Sequence, residues 1–212
     1  IWKEGQGSVL LISRGKGRLE IADEHWEQMS PKWFYITSVE GNIDLVKRII
    51  EIKKGAKITW NPGKMELSQR EKALELLPSV DLLILNRKEV GMLLENDIHL
   101  NDIYHLSTVR EKLKSKNILI TDGHNGSYYF DNNKWTWSDS FRADRVETTG
   151  AGDAYGSAFV AGLVKELTDE QRFKLAAGNA ASVVSHPGAK EGILRESQIE
   201  EWMNKNLEIK SL

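Results

Sequence analysis

The sequence has no cysteine among its 212 residues, and none of its apolar runs is as long as a membrane span. The absence of cysteine excludes disulfide bonds and thiol catalysis, and it fits a cytoplasmic setting. The net charge is also small, because the chain has 29 lysine and arginine residues and 31 acidic ones. We therefore expect an ordinary soluble globular protein with no nucleic acid and no membrane as partner.

Several motifs of well-known chemistry are missing as well. The pattern GxxxxGK[ST] does not occur, which excludes a P-loop, and no GxGxxG follows an early strand. The five histidines lack the spacing of metal ligands, such as HExxH. A dinucleotide-dependent oxidoreductase is therefore the weakest of the functions considered.

Short apolar runs alternate with amphipathic stretches along most of the chain. Runs typical of strands lie at 32–37, 57–60, 81–85 and 117–121, and helical patterns cover 41–55, about 67–77, the segment opened by Asn86, 102–115, 152–166, 169–185 and 197–206. Residues 127–138 predict a hairpin, and residues 8–21 predict another that lies outside the alternation. This order predicts an α/β fold with a doubly wound sheet whose strand carboxyl ends carry the site.

The stretch ETTGAGDAYGSAF, residues 147–159, is the most unusual local pattern. Gly150 and Gly152 permit backbone angles at which consecutive N–H groups converge on one anion, and the following helix points its free N–H groups at the same place. Asp153 lies in the first helical turn, where a carboxylate can accept a proton from an attacking alcohol. The alternative is a tight loop followed by an ordinary first-turn aspartate.

Two further polar signals follow predicted strands. Asn86 and Glu89 come directly after the run DLLIL, where they fit both a helix capping box and a ligand site. Thr121 and Gly123 follow the next strand, with Gly126 three residues later, and alone they fit a simple turn. Because the carboxyl ends of parallel strands meet at one edge of a sheet, we expect the three signals together to mark a site.

Four motifs, NRKE, ITDGHNG, ETTGAGD and HPGAKEG, occur in this order along the chain. In that order they resemble the ribokinase-like sugar and nucleoside kinases, also called the PfkB carbohydrate kinases, from about residue 8 to about residue 205. ETTGAGD at a strand-to-helix junction is the specific part of the resemblance. The resemblance implies a three-layer α/β/α fold with a small β lid, and ATP-dependent phosphoryl transfer to a hydroxyl of a sugar or nucleoside.

The resemblance also implies roles for individual residues. Asp153 would be the base that takes the hydroxyl proton, and Gly150, Ala151 and Gly152 would form the anion hole for the transferring group. Asn86 and Glu89 would act on the Mg²⁺ and phosphate side, largely through water. The residues implied for binding ATP are Asn86, Glu89, Thr121, Gly123, Gly126, Asn179, His186 and Gly188. These roles agree with the physics of phosphoryl transfer, which depends mostly on positioning and charge stabilisation.

The metal-binding residues that the resemblance implies are Glu89, Glu147 and Thr149. In several members an aspartate at the head of the ETTGAGD motif helps to hold a monovalent cation such as K⁺. This chain has Glu147 at that position, and it has Gly192 where some members offer a hydroxyl. A requirement for K⁺ therefore stays open, whereas ATP and Mg²⁺ are the expected cofactors.

The front of the family pattern, including a glycine-rich sugar-binding motif, has no counterpart in this sequence. We expect residues 1–22 to be the remnant of a β lid hairpin and residues 23–212 to be the nucleotide-binding and catalytic core. Lid strands commonly pair between subunits in this family, so a homodimer is an open alternative. Two functions also stay open: a sugar or nucleoside kinase, and a catalytically incomplete nucleotide-binding fragment or pseudokinase that acts as an interaction module.

Overall fold

The computed structural model describes residues 31–212, in which strands and helices alternate from the start. The strands are β1 (Trp33–Ile36), β2 (Lys57–Trp60), β3 (Leu82–Asn86), β4 (Asn117–Thr121), β5 (Ser127–Asp131), β6 (Lys134–Ser138) and β7 (Ile209–Ser211). The helices are α1 (Ile43–Ile52), α2 (Lys64–Leu67), α3 (Arg70–Leu76), α4 (Arg87–Leu94), α5 (Ile103–Leu113), α6 (Ala151–Val164), α7 (Asp169–Val184) and α8 (Glu196–Met203). The predicted hairpin at 8–21 and the lid at 1–22 lie outside the described residues.

The described residues fall into two compact units. The first, which we call the sheet unit, contains residues 31–122, 127–137 and 211–212 of the described chain. The second, the helical unit, contains residues 123–126 and 138–210. No helix in the described part of the chain is long and apolar enough to cross a membrane.

The strands form one mixed sheet in the order β1-β2-β3-β4-β5-β6-β7. The first four are parallel to one another, and β5 runs antiparallel to β4. Because β1 to β4 are parallel, their carboxyl ends meet along one side of the sheet, which we call the carboxyl edge. Asn86 of β3 and Thr121 of β4 are register partners at this edge. The predicted α/β class is confirmed.

The core of the sheet unit is built from the apolar runs that the sequence shows. Residues 82–85 of β3 and 118–120 of β4 are almost completely buried, as expected of strands that are covered on both faces. Val46 of α1 and Val109 of α5 pack into the same hydrophobic cluster. The hairpin of β5 and β6 turns through Asn132 and Asn133, both left-handed, as a two-residue hairpin loop requires.

The helical unit rests on the contact between α6 and α7. Phe159 meets Phe173 edge to face with 5.5 Å between the ring centroids. A β-carbon on Gly162 would lie 2.8 Å from Cγ of Arg172, so the missing side chain lets the helices approach closely. Thr168 and Gln171 form a capping box that begins α7.

The predicted helix at about 67–77 differs from what the structure shows. The chain forms two shorter helices, α2 and α3, and the first includes Glu66. The predicted helix begins too late because the prediction followed the apolar residues. Glu66 is polar, yet its side chain is buried and faces the loop that precedes α2. Strand β7 was not expected either, because three residues are too short for an alternating pattern.

Glu66 is fully buried at the carboxyl edge, although it is an acidic residue. Its carboxylate accepts hydrogen bonds from the backbone N–H groups of Gly41 at 2.6 Å, Gly63 at 2.7 Å and Val39 at 2.9 Å, and from the Ser38 hydroxyl at 3.1 Å. The first two loops of the carboxyl edge, after β1 and after β2, are thereby joined through one side chain. Backbone dipoles replace the water that a buried carboxylate loses.

These hydrogen bonds set the protonation of Glu66. Burial raises the pKa of the carboxyl, but the N–H groups of Gly41, Val39 and Gly63 outweigh burial, so the pKa lies below its usual value. Because the folded-state pKa is depressed, the carboxylate stabilises the fold at pH values above the unfolded-state pKa. This stabilisation is lost as the pH falls through the folded-state pKa.

Replacement of Glu66 by glutamine should lower the free energy of unfolding in urea at pH 7 by about 3 kcal/mol, because an amide NH₂ would then face backbone donors. The difference between parent and variant should shrink as the pH falls below the unfolded-state pKa of the carboxyl, and it should be smallest below the depressed folded-state pKa, where the parent carboxyl is also protonated. Glu75→Gln removes the same charge from an exposed position of α3 and should change little. Equal stability of parent and Glu66→Gln at pH 7 would contradict this role.

Candidate active site

The start of α6 is set by Gly150, which has a left-handed backbone with φ of +81°. A β-carbon at Gly150 would lie 2.6 Å from the carbonyl oxygen of Ala189, so both the backbone angle and the space require glycine. No side chain of the described residues caps the helix. The first N–H groups of α6 are therefore not claimed by a capping side chain, which is the arrangement that binds anions at helix N-termini.

Gly152 and Asp153 occupy the exposed first turn of α6. In contrast to Gly150, no atom of residues 31–212 outside its immediate helical neighbours lies within 4 Å of the position that a β-carbon would take on Gly152. The packing of the described chain thus gives no reason for glycine there. An open approach to the backbone, as an oxyanion needs, does give one.

The segment after α7 encloses the start of α6 from one side. The N–H of Gly188 donates to the Glu147 carboxylate at 2.8 Å, and Ala189 contacts Gly150. The hydrogen bonds from the Thr149 hydroxyl and from Gly188 hold the pKa of Glu147 below its usual value. In the helical unit, Glu147, Thr149 and Gly188 are therefore brought together beside the turn at Gly150. The carboxylate proposed for a cation is engaged by these two donors.

Asn179 and His186 lie on and after α7 and use their side chains within the helical unit. The amide of Asn179 is buried, and it donates to the Ala154 carbonyl at 2.9 Å while accepting from the Leu194 N–H at 2.9 Å. Nδ1 of His186 lies 2.8 Å from the Ser182 carbonyl oxygen. Asn179 thus links α6 to the segment before α8, and its predicted contact with adenine stays a prediction.

The sheet unit brings Asn86, Glu89 and Thr121 to the carboxyl edge. Asn86 caps α4 by accepting from the Glu89 N–H at 3.0 Å, and Glu89 accepts from the Asn86 N–H at 2.8 Å. The capping box expected from NRKE is confirmed. Thr121 ends β4 opposite Asn86. Both groups therefore stand at adjacent strand ends, where ligands bind in open α/β sheets.

Gly123 and Gly126 bound a short turn after β4. Gly123 has a φ of +59°, and Gly126 has a φ of +90°. A β-carbon on Gly126 would collide with the carbonyl oxygen of Ser138. Gly126 is therefore required by the turn and its packing, whatever further part it has in nucleotide binding.

The carboxylates in the described part of the chain do not form a ready-made metal cage. Residues 31–212 contain no group of three or more histidine, aspartate or glutamate side chains placed to hold a metal ion. Mg²⁺ is commonly bound by one or two carboxylates together with waters and phosphate oxygens. The role of Glu89 toward Mg²⁺, largely through water, stays a prediction.

Two features of the carboxyl edge were not found from the sequence. Glu66 precedes the predicted helix at about 67–77, and its donors in the loop after β1 are 25 to 28 residues away along the chain. Arg87 and Asp122 belong to the motifs NRKE and ITDGHNG, which do not indicate that Nε of Arg87 donates to Oδ1 of Asp122 at 2.9 Å. A charged residue directly after each of two buried strands is the signal that could have indicated the ion pair.

The comparisons with known proteins agree on one family. A model of the family described as pfkB family carbohydrate kinase matches residues 22–196. The deoxyribokinase of Salmonella typhi is 24% identical over 205 residues, which cover 93% of this chain and 65% of the relative. The ribokinase of Staphylococcus aureus is 30% identical over 173 residues, which cover 76% of this chain and 53% of the relative. The chain thus spans less than two thirds of the length of these relatives.

Solved structures show the same fold. The structure of Arabidopsis thaliana ribokinase with ribose and ATP has a TM-score of 0.75 and 22% identity, and the match covers 88% of this chain and 60% of that one. The Burkholderia thailandensis nucleoside kinase with inosine has a TM-score of 0.69 and 15% identity, with coverages of 84% and 58%. A candidate Ribokinase II of E. coli with ATP and Mg²⁺ has a TM-score of 0.67 and 24% identity, with coverages of 81% and 58%. The fold is ribokinase-like.

The two glycines at the start of α6 should respond differently to substitution. Gly150→Ala should lower the free energy of unfolding by about 3 kcal/mol, because a left-handed angle and the Ala189 carbonyl both oppose a side chain. Gly152→Ala should keep the stability or raise it by up to about 1 kcal/mol, as alanine for glycine does within a helix. Urea unfolding of both variants measures this contrast. Equal losses would show that Gly152 is also required by folding.

Proposed function

We propose, since the chain belongs to the pfkB family of carbohydrate kinases, that it transfers the γ-phosphoryl group of ATP to a hydroxyl of a sugar or nucleoside. The observation that carries this proposal is the start of α6. There an uncapped helix N-terminus, a left-handed glycine and the exposed carboxylate of Asp153 occur within four residues. The named relatives act on pentoses, and a similar structure holds a nucleoside, which supports this substrate class.

Asp153 acts as the general base in this proposal. One carboxylate oxygen takes the proton from the acceptor hydroxyl while the hydroxyl oxygen forms a bond to the γ-phosphorus. The bond between that phosphorus and the bridging oxygen of the β-phosphate breaks, and ADP leaves with the electron pair. A carboxylate in the exposed first turn of α6 is accessible to such a hydroxyl.

Gly150, Ala151 and Gly152 form the anion hole in this proposal. During transfer, negative charge is spread over the three equatorial oxygens of the phosphoryl group, and oriented N–H groups stabilise it without reorganising. The helix dipole of α6 adds a positive end at the same place. The open space at Gly152 is needed here, because a methyl group would hold an oxyanion away from the backbone.

The nucleotide is bound by the remaining predicted residues in this proposal. Asn86 and Glu89 act toward Mg²⁺ and the phosphates, and the others lie along the nucleotide, namely Thr121, Gly123, Gly126, Asn179, His186 and Gly188. Mg²⁺, when bound, neutralises charge on the β- and γ-phosphate oxygens. Glu147 and Thr149 remain proposed ligands of a monovalent cation. Dimerisation through the lid also remains a proposal, as does the division of the chain into lid and core at residue 22.

Asp153→Asn should reduce phosphoryl transfer by about 10²–10⁴-fold, because asparagine cannot accept the hydroxyl proton. Binding of Mg·ATP, measured by titration calorimetry, should stay the same, since the amide keeps the size of the carboxylate. Transfer is measured as ADP release with ribose, deoxyribose, fructose and inosine as acceptors. Asp44→Asn is the matched control, because Asp44 is also an exposed first-turn aspartate, in α1.

Full transfer by Asp153→Asn would refute the assignment of the base. Tight binding of Mg·ATP by the parent chain without transfer to any acceptor would favour a nucleotide-binding interaction module over a kinase. Absence of Mg·ATP binding would contradict both functions.

A further inference from the structure

Arg87 and Asp122 occupy equivalent places at the carboxyl edge of the sheet unit. Arg87 follows β3 and is the first residue of α4, and Asp122 follows β4. The residues just before them, Asn86 and Thr121, are register partners on these strands. The 2.9 Å hydrogen bond between Nε of Arg87 and Oδ1 of Asp122 therefore spans two strand ends, one residue beyond two proposed nucleotide contacts.

The guanidinium of Arg87 also reaches the segment after α4. Nη1 lies 3.5 Å from the Ile98 carbonyl oxygen and 4.0 Å from Oδ1 of Asp97. The Arg87 side chain is 37% exposed and that of Asp122 is 17% exposed, so water screens the short contact only in part. One planar side chain thus holds three segments of the sheet unit: the start of α4, the segment that follows it and the end of β4.

The ion pair is not needed to form the elements that it joins. The capping box of Asn86 and Glu89 already begins α4, and the strand ladder already pairs β3 with β4. The strand ladder ends at the pair of Asn86 and Thr121, and the ion pair adds a contact one residue further, which bears on the position of the first turn of α4 relative to the end of β4. A charge-assisted hydrogen bond across the two ends fixes this position, because its geometry is directional.

We propose that Arg87 and Asp122 are positioning residues for the nucleotide. Their ion pair holds the Asn86–Glu89 turn and Thr121 at a set separation, so that both contact Mg·ATP without first being ordered by it. When the binding residues are already in place, the free energy of binding is not reduced by the cost of ordering them. This inference rests on the proposed function, because it concerns the nucleotide that the kinase would use.

The test is titration of Mg·ATP into the whole chain carrying Arg87→Lys or Asp122→Ala. Each variant should bind Mg·ATP about tenfold more weakly, the loss expected of one charge-assisted hydrogen bond. Lysine keeps the positive charge but cannot reach Asp122 and the Ile98 carbonyl with one planar group. It therefore separates positioning from simple attraction of phosphate. Thermal unfolding of each variant confirms that the titrated protein is folded.

Arg70→Ala is the matched control. Arg70 also donates to a carbonyl oxygen, that of Leu93 at 2.6 Å, and lies 3.7 Å from a carboxylate oxygen of Glu95, at the opposite end of α4. Its loss should lower the unfolding temperature and leave the Mg·ATP affinity unchanged. An equal loss of affinity in this control would assign the effect to general destabilisation and overturn the inference.

The remaining outcomes are also decisive. Parent-like affinity in Arg87→Lys would show that charge alone matters, and tighter binding by Asp122→Ala would show that the aspartate only repels phosphate. Either result overturns the inference while leaving the proposed function in place. A parent chain that does not bind Mg·ATP contradicts the proposed function itself, and the inference falls with it.

Discussion

The left-handed backbone of Gly150 determines how α6 begins, and the chemistry proposed for this chain depends on that beginning. With any other residue at this position, the turn would be strained and would collide with Ala189. The segment after α7 packs against this turn at Ala189, and the Gly188 N–H donates to the Glu147 carboxylate. This segment therefore contacts both Gly150 and the residues just before it. The helix therefore starts with N–H groups that no side chain of the described residues takes up. Asp153 follows in the same turn, which places the proposed base beside the backbone proposed to bind the anion.

In the sheet unit, different contacts hold the loops of the carboxyl edge in place. Parallel strands align their carboxyl ends, but the loops that leave them lie outside the strand ladders. A single buried carboxylate, Glu66, supplies acceptors for the loops after β1 and β2. The pair of Arg87 and Asp122 joins the ends of β3 and β4. Buried or half-buried charges of this kind cost solvation energy and give directional contacts, which is useful where geometry matters more than stability.

The residues that could be predicted from the sequence are those whose structure depends on near neighbours. The capping box of Asn86 and Glu89 spans three residues, and the hairpin turn at Asn132 and Asn133 depends on two, so local patterns suffice. Buried strands such as β3 and β4 were visible as continuous apolar runs. Glu66, by contrast, takes three of its four donors from 25 to 28 residues away, and Arg87 contacts Asp122 at a separation of 35 residues. Such contacts follow from the register of the sheet, which local propensity does not contain. The glycine motif predicted an unusual turn at Gly150. It did not predict that the close approach of Ala189 would also require glycine at this position.

The most direct test of the proposed chemistry is amide hydrogen exchange at the start of α6, measured residue by residue with and without Mg·ATP. If the phosphate groups bind at this helix N-terminus, exchange at Gly152 and Asp153 should slow when the nucleotide is added. Amides in the first turn of α7, which is closed by its own capping box, serve as the internal reference. Slower exchange at Gly152 and Asp153, with exchange in the first turn of α7 unchanged, is the result that we predict. Nucleotide binding that leaves these two amides unchanged would contradict the placement of the transferring phosphoryl group.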